Sequence, residues 1–600
     1  MKNKFLAIIL AVASLNLVAC EDYLNEMPQD QFTDDTYWTS ATSLETYGNL
    51  FYDNFSAYGS GWSKGQYHNF SMSDDYNSED FSIPTVNIPT SSSAWSSPYI
   101  EIRRANIMIN RIAKIENLAA DDAAHWEGFA RFFRAMMHFN LVQTYGDVPW
   151  VDTEIVDIDN GEEAMSQPRN DRAEVMKNVC ADLQFAGENM RHTSNNTIND
   201  MCAWALLSRA ALYEAAWQKY QEGNSDAAKE FYTIAKNAAD KVISSGHYSI
   251  SEFNLNAAGT EEYPIGNYKA NYVSKSLAGN PEMILYKVYE YGTVKLAHAM
   301  QGWSCSSSKT WGMTKSAMES FVMSDGLPFY QSELGYDDTT VEGIFANRDA
   351  RLAQIVSPTV IAPSGLNYEE GINSTTGYWT NKFVDWNDYG KGTWNAPYND
   401  TDAPIYTYAE VLLNYAEACA ELGTITNADL DKSINILRKK HGNIPALTVN
   451  GKEEVAVNGV TIEKDPANIF GVSNLLWELR RERRNELMCD GFRKADIYRW
   501  KMGKLLDNSI NPDGCIGASK DVIVAFYEAN KTNNLYKEVN LETVLADLYW
   551  YTAADGKVYT RSLSPEYSRT FDETKNYLEP IPSGQIQLNP NLAPNNPGWE

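Results

Sequence analysis

Apolar residues recur every three or four positions in eight stretches of the chain, the period of a helix with one buried face. They cover 99–115, 125–145, 172–186, 199–217, 227–244, 405–422, 429–441 and 473–488. In the second stretch Phe129, Phe132, Phe133, Met136, Met137 and Phe139 form a wide apolar face, while Glu127, Arg131, Arg134 and His138 follow one another at steps of four, three and four. That pattern predicts a core helix with one hydrated or ion-paired edge. Near the C-terminus LYWYTAADGKVYTR alternates aromatic and polar residues around Asp555-Gly556, which predicts a β-hairpin. The expected class is mainly α, with small β pieces.

Two pairs of stretches predict helical hairpins that resemble tetratricopeptide units: MCAWALLSRAALYEAAW with AAKEFYTIAKNAADKVISSGHY, and IYTYAEVLLNYAEACAELG with ADLDKSINILRKKHG. Alanines on the facing sides permit close approach, and Tyr213 and Tyr232 fill the remaining gaps. The usual Trp and Leu-Gly positions of that repeat are absent. Between the helical blocks lie long irregular stretches at 57–97, 248–280, 292–314 and 367–402, rich in aromatic residues. Loops of this length in a compact body carry function or disorder, and aromatic content favours function.

The N-terminus changes the picture. Lys2 and Lys4 precede an apolar run that weakens through Ser14 and Asn16 and ends in Leu17-Val18-Ala19-Cys20. This is the layout of a secretory signal over 1–19, too short to span a bilayer, with Cys20 as the expected lipid anchor and mature N-terminus. The acidic run Glu21-Asp22-Tyr23-Leu24-Asn25-Glu26 reads as the start of a tether over 20–45, and 46–600 as one domain, since no Pro/Ser-rich linker divides it. No later stretch is apolar enough to cross a membrane, so membrane contact is expected through lipid alone. The net charge of −29 argues against nucleic acid as a partner. The six cysteines beyond Cys20 are scattered with no C-x-x-C pair, so neither a zinc site nor a disulfide framework is expected. Cys180, Cys202, Cys419 and Cys489 read as small buried apolar residues. No metal or other cofactor is expected.

Six segments in order carry a family resemblance: Cys20 followed by YLNEMP; GFARFFRAMMHFNLVQTYGDVPW; SDGLPFY with RDARL; APIYTYAEVLLNYAEACAELG; LWELRRERRNELMCDGFRKADIYRW; and NYLEPIPSGQIQLNPNLAPNNPGW at the end. Together, from Cys20 to Glu600, they resemble the SusD/RagB family of Bacteroidetes-type cell-surface lipoproteins. The resemblance implies a SusD-like helical fold with a tetratricopeptide-like scaffold and an oligosaccharide site on aromatic loops. It also implies a partner, a SusC-like TonB-dependent outer-membrane barrel to which glycan is delivered, and a place on the outer face of the outer membrane, which acidic residues after the lipidated cysteine also resemble. The arginines and glutamates of these segments, Arg131, Arg134, Arg480, Glu482, Arg483, Arg484 and Glu486 among them, fall at helical spacing and read as structural ion pairs. Gly146 and Gly491 read as helix caps or turns, and the Pro-rich terminus as a pinned tail.

A sugar ring needs a flat aromatic surface for its C–H face and polar groups for its rim of hydroxyls. Trp95, in a loop before the first helix and where family members often carry a platform tryptophan, is one candidate. Trp303 and Trp311 in a second loop, and Asp74, Asp75 and Tyr76 in a third, are the others of first rank. Trp62, Tyr67, Trp379, Trp386 and Trp394 follow. For each tryptophan the competing reading is a core plug beneath a long loop. Two other function classes compete: a surface glycoside hydrolase, since paired carboxylates are abundant, and a helical scaffold binding a peptide or protein. Abundant acid is the default of an acidic surface, and no histidine sits in a recognisable catalytic motif, so no catalytic residue is assigned.

Overall fold

The computed structural model describes residues 34–67, 73–77, 87–154, 166–305, 312–359, 361, 363, 366, 373–451, 453–562 and 569–599. Cys20 and the signal segment lie outside the described residues.

Seven long helices carry the architecture: α1 (Ser93–Ile112), α2 (Ala120–Tyr145), α3 (Arg172–Asn189), α4 (Asp200–Tyr220), α5 (Ser225–Ser245), α6 (Tyr408–Glu421) and α7 (Asn474–Glu486). Side chains at their starts satisfy the first free N–H groups: Asp171 for α3, Asn199 for α4, Thr407 for α6 and Ser473 for α7. At the other end of α2, Gly146 takes φ +74° and its N–H closes on Val142 O, the cap that the sequence predicts. Helices α1 to α5 pack each on the next in chain order, and α6 lies against α5, so the first hairpin and the start of the second meet face to face.

The wide face of α2 is the centre of an aromatic core in which Phe133 stacks on Phe51 at 4.9 Å and meets Phe132 edge-on at 5.1 Å. Its polar stripe is ion-paired as expected. Arg131 reaches Glu127 at 2.6 Å, and Arg134 forks onto Asp182 at 2.7 and 2.8 Å. Burial pushes the His138 imidazole down to about 3, which keeps it neutral as its Nδ1 donates to Arg134 O. The cysteines of the helical blocks are buried and unbridged.

Two predicted helices change form. The stretch from Ile405 begins as a strand, Ala403–Thr407, paired antiparallel with Met283–Lys287, and turns helical only at Tyr408. Pro404 and the β-branched Ile405 and Thr407 suit an extended chain better than a helix interior. The stretch 429–441 breaks into Asn427–Asp431, Ile434–Leu437 and a π turn Arg438–Gly442. The extra residue of a π turn re-aims side chains, and here Arg438 and His441 point into a buried ion cluster with α7. The predicted hairpin forms, Tyr549–Thr552 against Val558–Arg561, and Ile516–Ser519 adds a third strand. The tail is pinned as predicted: Asn596 Nδ2 donates to Tyr145 O at 2.9 Å, and Arg169 reaches Asn596 Oδ1 at 2.8 Å.

The ion cluster holds Arg351, Arg438 and His441 against Asp349, Glu482, Glu486 and Glu282. Burial would lower the His441 imidazole, but Glu486 and Glu282 at 2.6 and 3.2 Å push it up to about 10. Burial would likewise raise the Glu486 carboxyl, yet His441 and Arg351 hold it down at about 2. A raised histidine stabilises the fold fully below its unfolded value near ~6.5 and loses that contribution as pH climbs toward 10. A depressed glutamate stabilises fully above its unfolded value near ~4.5 and loses it as pH falls toward 2. Urea midpoints measured against pH are therefore expected to be highest between about 4.5 and 6.5 and to fall on both sides. His441→Gln should flatten the alkaline limb; a wild-type limb that is already flat there would remove the assignment.

Candidate functional site

Three loops far apart in sequence meet on one face. Gly61 N–H donates to Ala297 O at 2.8 Å, and His298 and Asn399 exchange backbone hydrogen bonds at 2.9 and 3.0 Å. The buried His298 ring locks this junction. Its Nδ1 accepts from Met300 N, so Nε2 donates to Thr401 O at 3.1 Å, and the ring lies 4.8 Å from Tyr58 and 4.7 Å from Tyr289. In the first loop a Cβ on Gly65 would lie 2.1 Å from Ala57 O, so only glycine lets the chain double back and present the residues between.

On this frame aromatic rings gather near the surface. Trp62 is 58% exposed and meets the half-buried Trp303 edge to face at 5.9 Å, with Lys64 Nζ 4.6 Å over the Trp303 ring. Tyr291 and Tyr398, from the second and third loops, lie 4.9 Å apart. A further group, Trp386, Tyr389 and Trp394, is held at 5.1 to 5.6 Å within the third loop, with all three rings half-buried. Gly302 and Ala396 press these loops together, since a Cβ on Gly302 would lie 2.7 Å from that of Ala396. Exposed Trp62 and Tyr398 and the half-buried rings beside them, with Lys64 among them, match the two needs of a sugar ring.

The predicted site residues divide sharply. Trp303, Trp62, Trp386 and Trp394 come to the aromatic loops. Trp95 does not: it sits in the first turn of α1 and not in a loop, 5% exposed, edge-on to Tyr145 at 5.0 Å. Tyr67 and Trp379 are also core, the former donating its hydroxyl to Pro404 O at 3.0 Å and the latter edge-on to Trp386 at 5.7 Å. Asp74, Asp75 and Tyr76 are buried, so the third expected loop offers no sugar-facing rim. Burial would raise the Asp74 carboxyl, but Arg484 and Arg493 hold it below its usual range. Asp75 is raised by burial and by Asp74 beside it, despite Arg484 at 2.6 Å. Both carboxylates thus serve to tie the 73–77 segment to α7 and Arg493. Trp311 lies outside the described residues. Sequence reasoning missed Tyr291, Tyr389, Tyr398 and Lys64; for the last three their place in the aromatic-rich loops was the available signal, while Tyr291 stands one residue before such a loop.

Among the described residues no helix is long and apolar enough to cross a membrane, and no three His, Cys, Asp or Glu side chains cluster to hold a metal ion.

A mainly helical scaffold that presents aromatic loops on one face defines a class, and comparison places the chain within it. The sequence pattern of the SusD family matches residues 267–599, and a second pattern, described as starch-binding associating with outer membrane, matches 22–212. The chain belongs to the SusD family. A SusD-like protein of Formosa agariphila is 22% identical over 83% of this chain and 91% of its own length. One of Bacteroides ovatus is 24% identical over 38% of this chain and 43% of the relative. Among solved structures, a SusD-like carbohydrate binding protein of Bacteroides fragilis superposes with a TM-score of 0.65 at 21% identity, covering 93% of this chain and all of that one. A second SusD-like protein of the same organism gives 0.64 at 20% identity over 96% of this chain and all of the other.

Proposed function

We propose that this protein binds oligosaccharide or polysaccharide at the face formed by Trp62, Trp303, Tyr291 and Tyr398, and passes it to a SusC-like TonB-dependent barrel in the outer membrane. Cys20 carries the lipid that holds the body, residues 46–600, at the cell exterior. The observation that carries the reading is the meeting of three separate loops to gather exposed and half-buried rings on one frame. Family membership, the outer-membrane association in the description of the matching pattern, and the lipoprotein-like N-terminus support it. One apolar cluster running from Trp38 to Leu592 supports a single folded unit.

The proposed role is capture without hydrolysis. A glycosidase needs two carboxylates flanking the scissile bond at a set separation. The acids beneath this face are engaged in building it: Asp402 accepts from Leu277 N and Tyr289 N at 2.9 and 3.0 Å, and Asp400 faces Lys275 at 3.6 Å.

Trp62→Ala and Trp303→Ala are expected to weaken the cognate glycan by roughly tenfold to hundredfold, the ~1–3 kcal/mol of a ring stacked on sugar. The melting temperature of the Trp62 variant should stay near wild type, because that ring is already largely in solvent. Calorimetric titration against a polysaccharide panel measures both; wild-type affinity in both variants would move the site elsewhere.

A further inference from the structure

Beside the third loop lies a cavity of about 460 Å³ with walls that include Trp379, Trp386, Asn381, Gln354 and Glu262. Lys269 lines it from the short helix Asn267–Val273 and is only 5% exposed. Among the described residues its ammonium has neither a hydrogen bond nor an ion pair. The opposing charge that acts on it is Asp385, whose carboxylate caps the following turn by accepting from Asn387 N at 2.9 Å and Asn387 Nδ2 at 2.8 Å. The polar groups around the lysine are fixed. Gln354 Oε1 accepts from the Lys269 backbone N–H at 3.1 Å while its Nε2 donates to Ala350 O, and Asn381 Oδ1 accepts from Trp386 Nε1 at 3.3 Å. Gly266 makes room for this arrangement, since a Cβ there would lie 2.1 Å from Gln354 Oε1.

A buried amine without a partner is unfavourable unless something uses it. The groove around it is open, aromatic on one side and amide-lined on another, and it holds one cation. The one carboxylate among its walls, Glu262, is solvent-exposed at the rim, where water and salt screen it. Trp386 belongs both to this cavity and to the aromatic group with Tyr389 and Trp394, so a chain lying on those rings passes the mouth of the lysine pocket.

We infer that this cavity is a subsite for an acidic sugar, with Lys269 pairing to a carboxylate or sulfate group and Trp386 stacking against the ring that bears it. The inference rests on the glycan-binding reading above and names its substrate class. Burial pushes the Lys269 amine down to about 7, so the amine holds its proton weakly and an entering anion restores the charge. The strongly negative protein as a whole does not forbid this. At physiological salt the Debye length is about 8 Å, so distant acids are screened while a partly desolvated pair at contact is not. The overall charge does favour ligands with isolated acidic groups over dense polyanions.

The test uses the detergent-solubilised full-length protein and a panel of glycans in matched forms: a galacturonan oligosaccharide esterified at all but one residue against its full methyl ester, and a singly sulfated galactan oligosaccharide against its desulfated backbone. The expected result is at least tenfold tighter binding of one acidic form over its neutral match, with the responding pair separating carboxylate from sulfate recognition. Lys269→Met should abolish that preference while leaving the affinity for the neutral form and the melting temperature at or above wild type. Equal binding of acidic and neutral forms by the wild type, or a preference that survives Lys269→Met, overturns the subsite and leaves the glycan-binding reading standing. If no member of the panel binds, neutral or acidic, the subsite is overturned, and the glycan-binding reading rests on its own test with the polysaccharide panel and the Trp62 and Trp303 variants.

Discussion

Arg351→Met is expected to destabilise the protein by about 3–5 kcal/mol, although it touches no part of the candidate binding face. Arg351 is fully buried, and its guanidinium contacts Asp349 at 2.6 Å, Glu482 at 2.9 Å and Glu486 at 2.9 Å. Methionine fills much of the same volume but leaves three carboxylates facing one another in a region that water does not reach, with Arg438 and His441 too few to neutralise them. Stranding charge in this way is far more costly than losing an exposed pair, for which ~0–1 kcal/mol is usual. Arg351→Lys should recover only part of the loss, because a single ammonium cannot serve three acceptors with the planar fork of arginine. Urea unfolding gives the numbers. A loss below about 1 kcal/mol for the methionine variant would mean that the cluster is not a principal support of α7.

Trp95→Ala is expected to cost about 3–5 kcal/mol of folding stability and to leave glycan affinity unchanged in the molecules that remain folded. Its ring is wedged between Tyr99 at 5.6 Å and Tyr145 at 5.0 Å, and the Tyr145 hydroxyl donates to Ser92 Oγ at 3.1 Å just ahead of the same helix. The C-terminal tail docks at this corner, where Ser583 N and Gly584 N donate to Pro89 O and Thr90 O. Emptying the corner should therefore also speed proteolysis of the tail. Thermal melts with glycan calorimetry separate the two roles of a tryptophan. An unchanged melting temperature with weakened glycan binding would return Trp95 to the sugar face.

This contrast between Trp95 and Trp62 marks the boundary between what was legible in the chain and what was not. Both are single tryptophans in Gly/Ser-rich surroundings, and only the family resemblance ranks Trp95 above Trp62. The packing of α1 against α2 buries Trp95 to 5% exposure, whereas Trp62 stands on the loop junction with Trp303 and stays 58% exposed. The same holds for Asp74 and Asp75, whose partners Arg484 and Arg493 stand some four hundred residues away in sequence.

The sequence by itself determined the helical class, the course of most long helices, the polar stripe of α2 with its Arg131–Glu127 pair, the C-terminal hairpin and the family, because each depends on residues within a turn or two of one another or on ordered local motifs. Tertiary structure decided the remainder. It turned 403–407 into a strand because Met283–Lys287 lay ready to pair with it. It broke 429–441 where Arg438 and His441 had acids to meet. It also selected Trp303 and Trp62, and exposed Tyr291, Tyr398 and Lys269 as candidates. Burial and charge pairing are properties of what lies across the fold, and no window of sequence contains them.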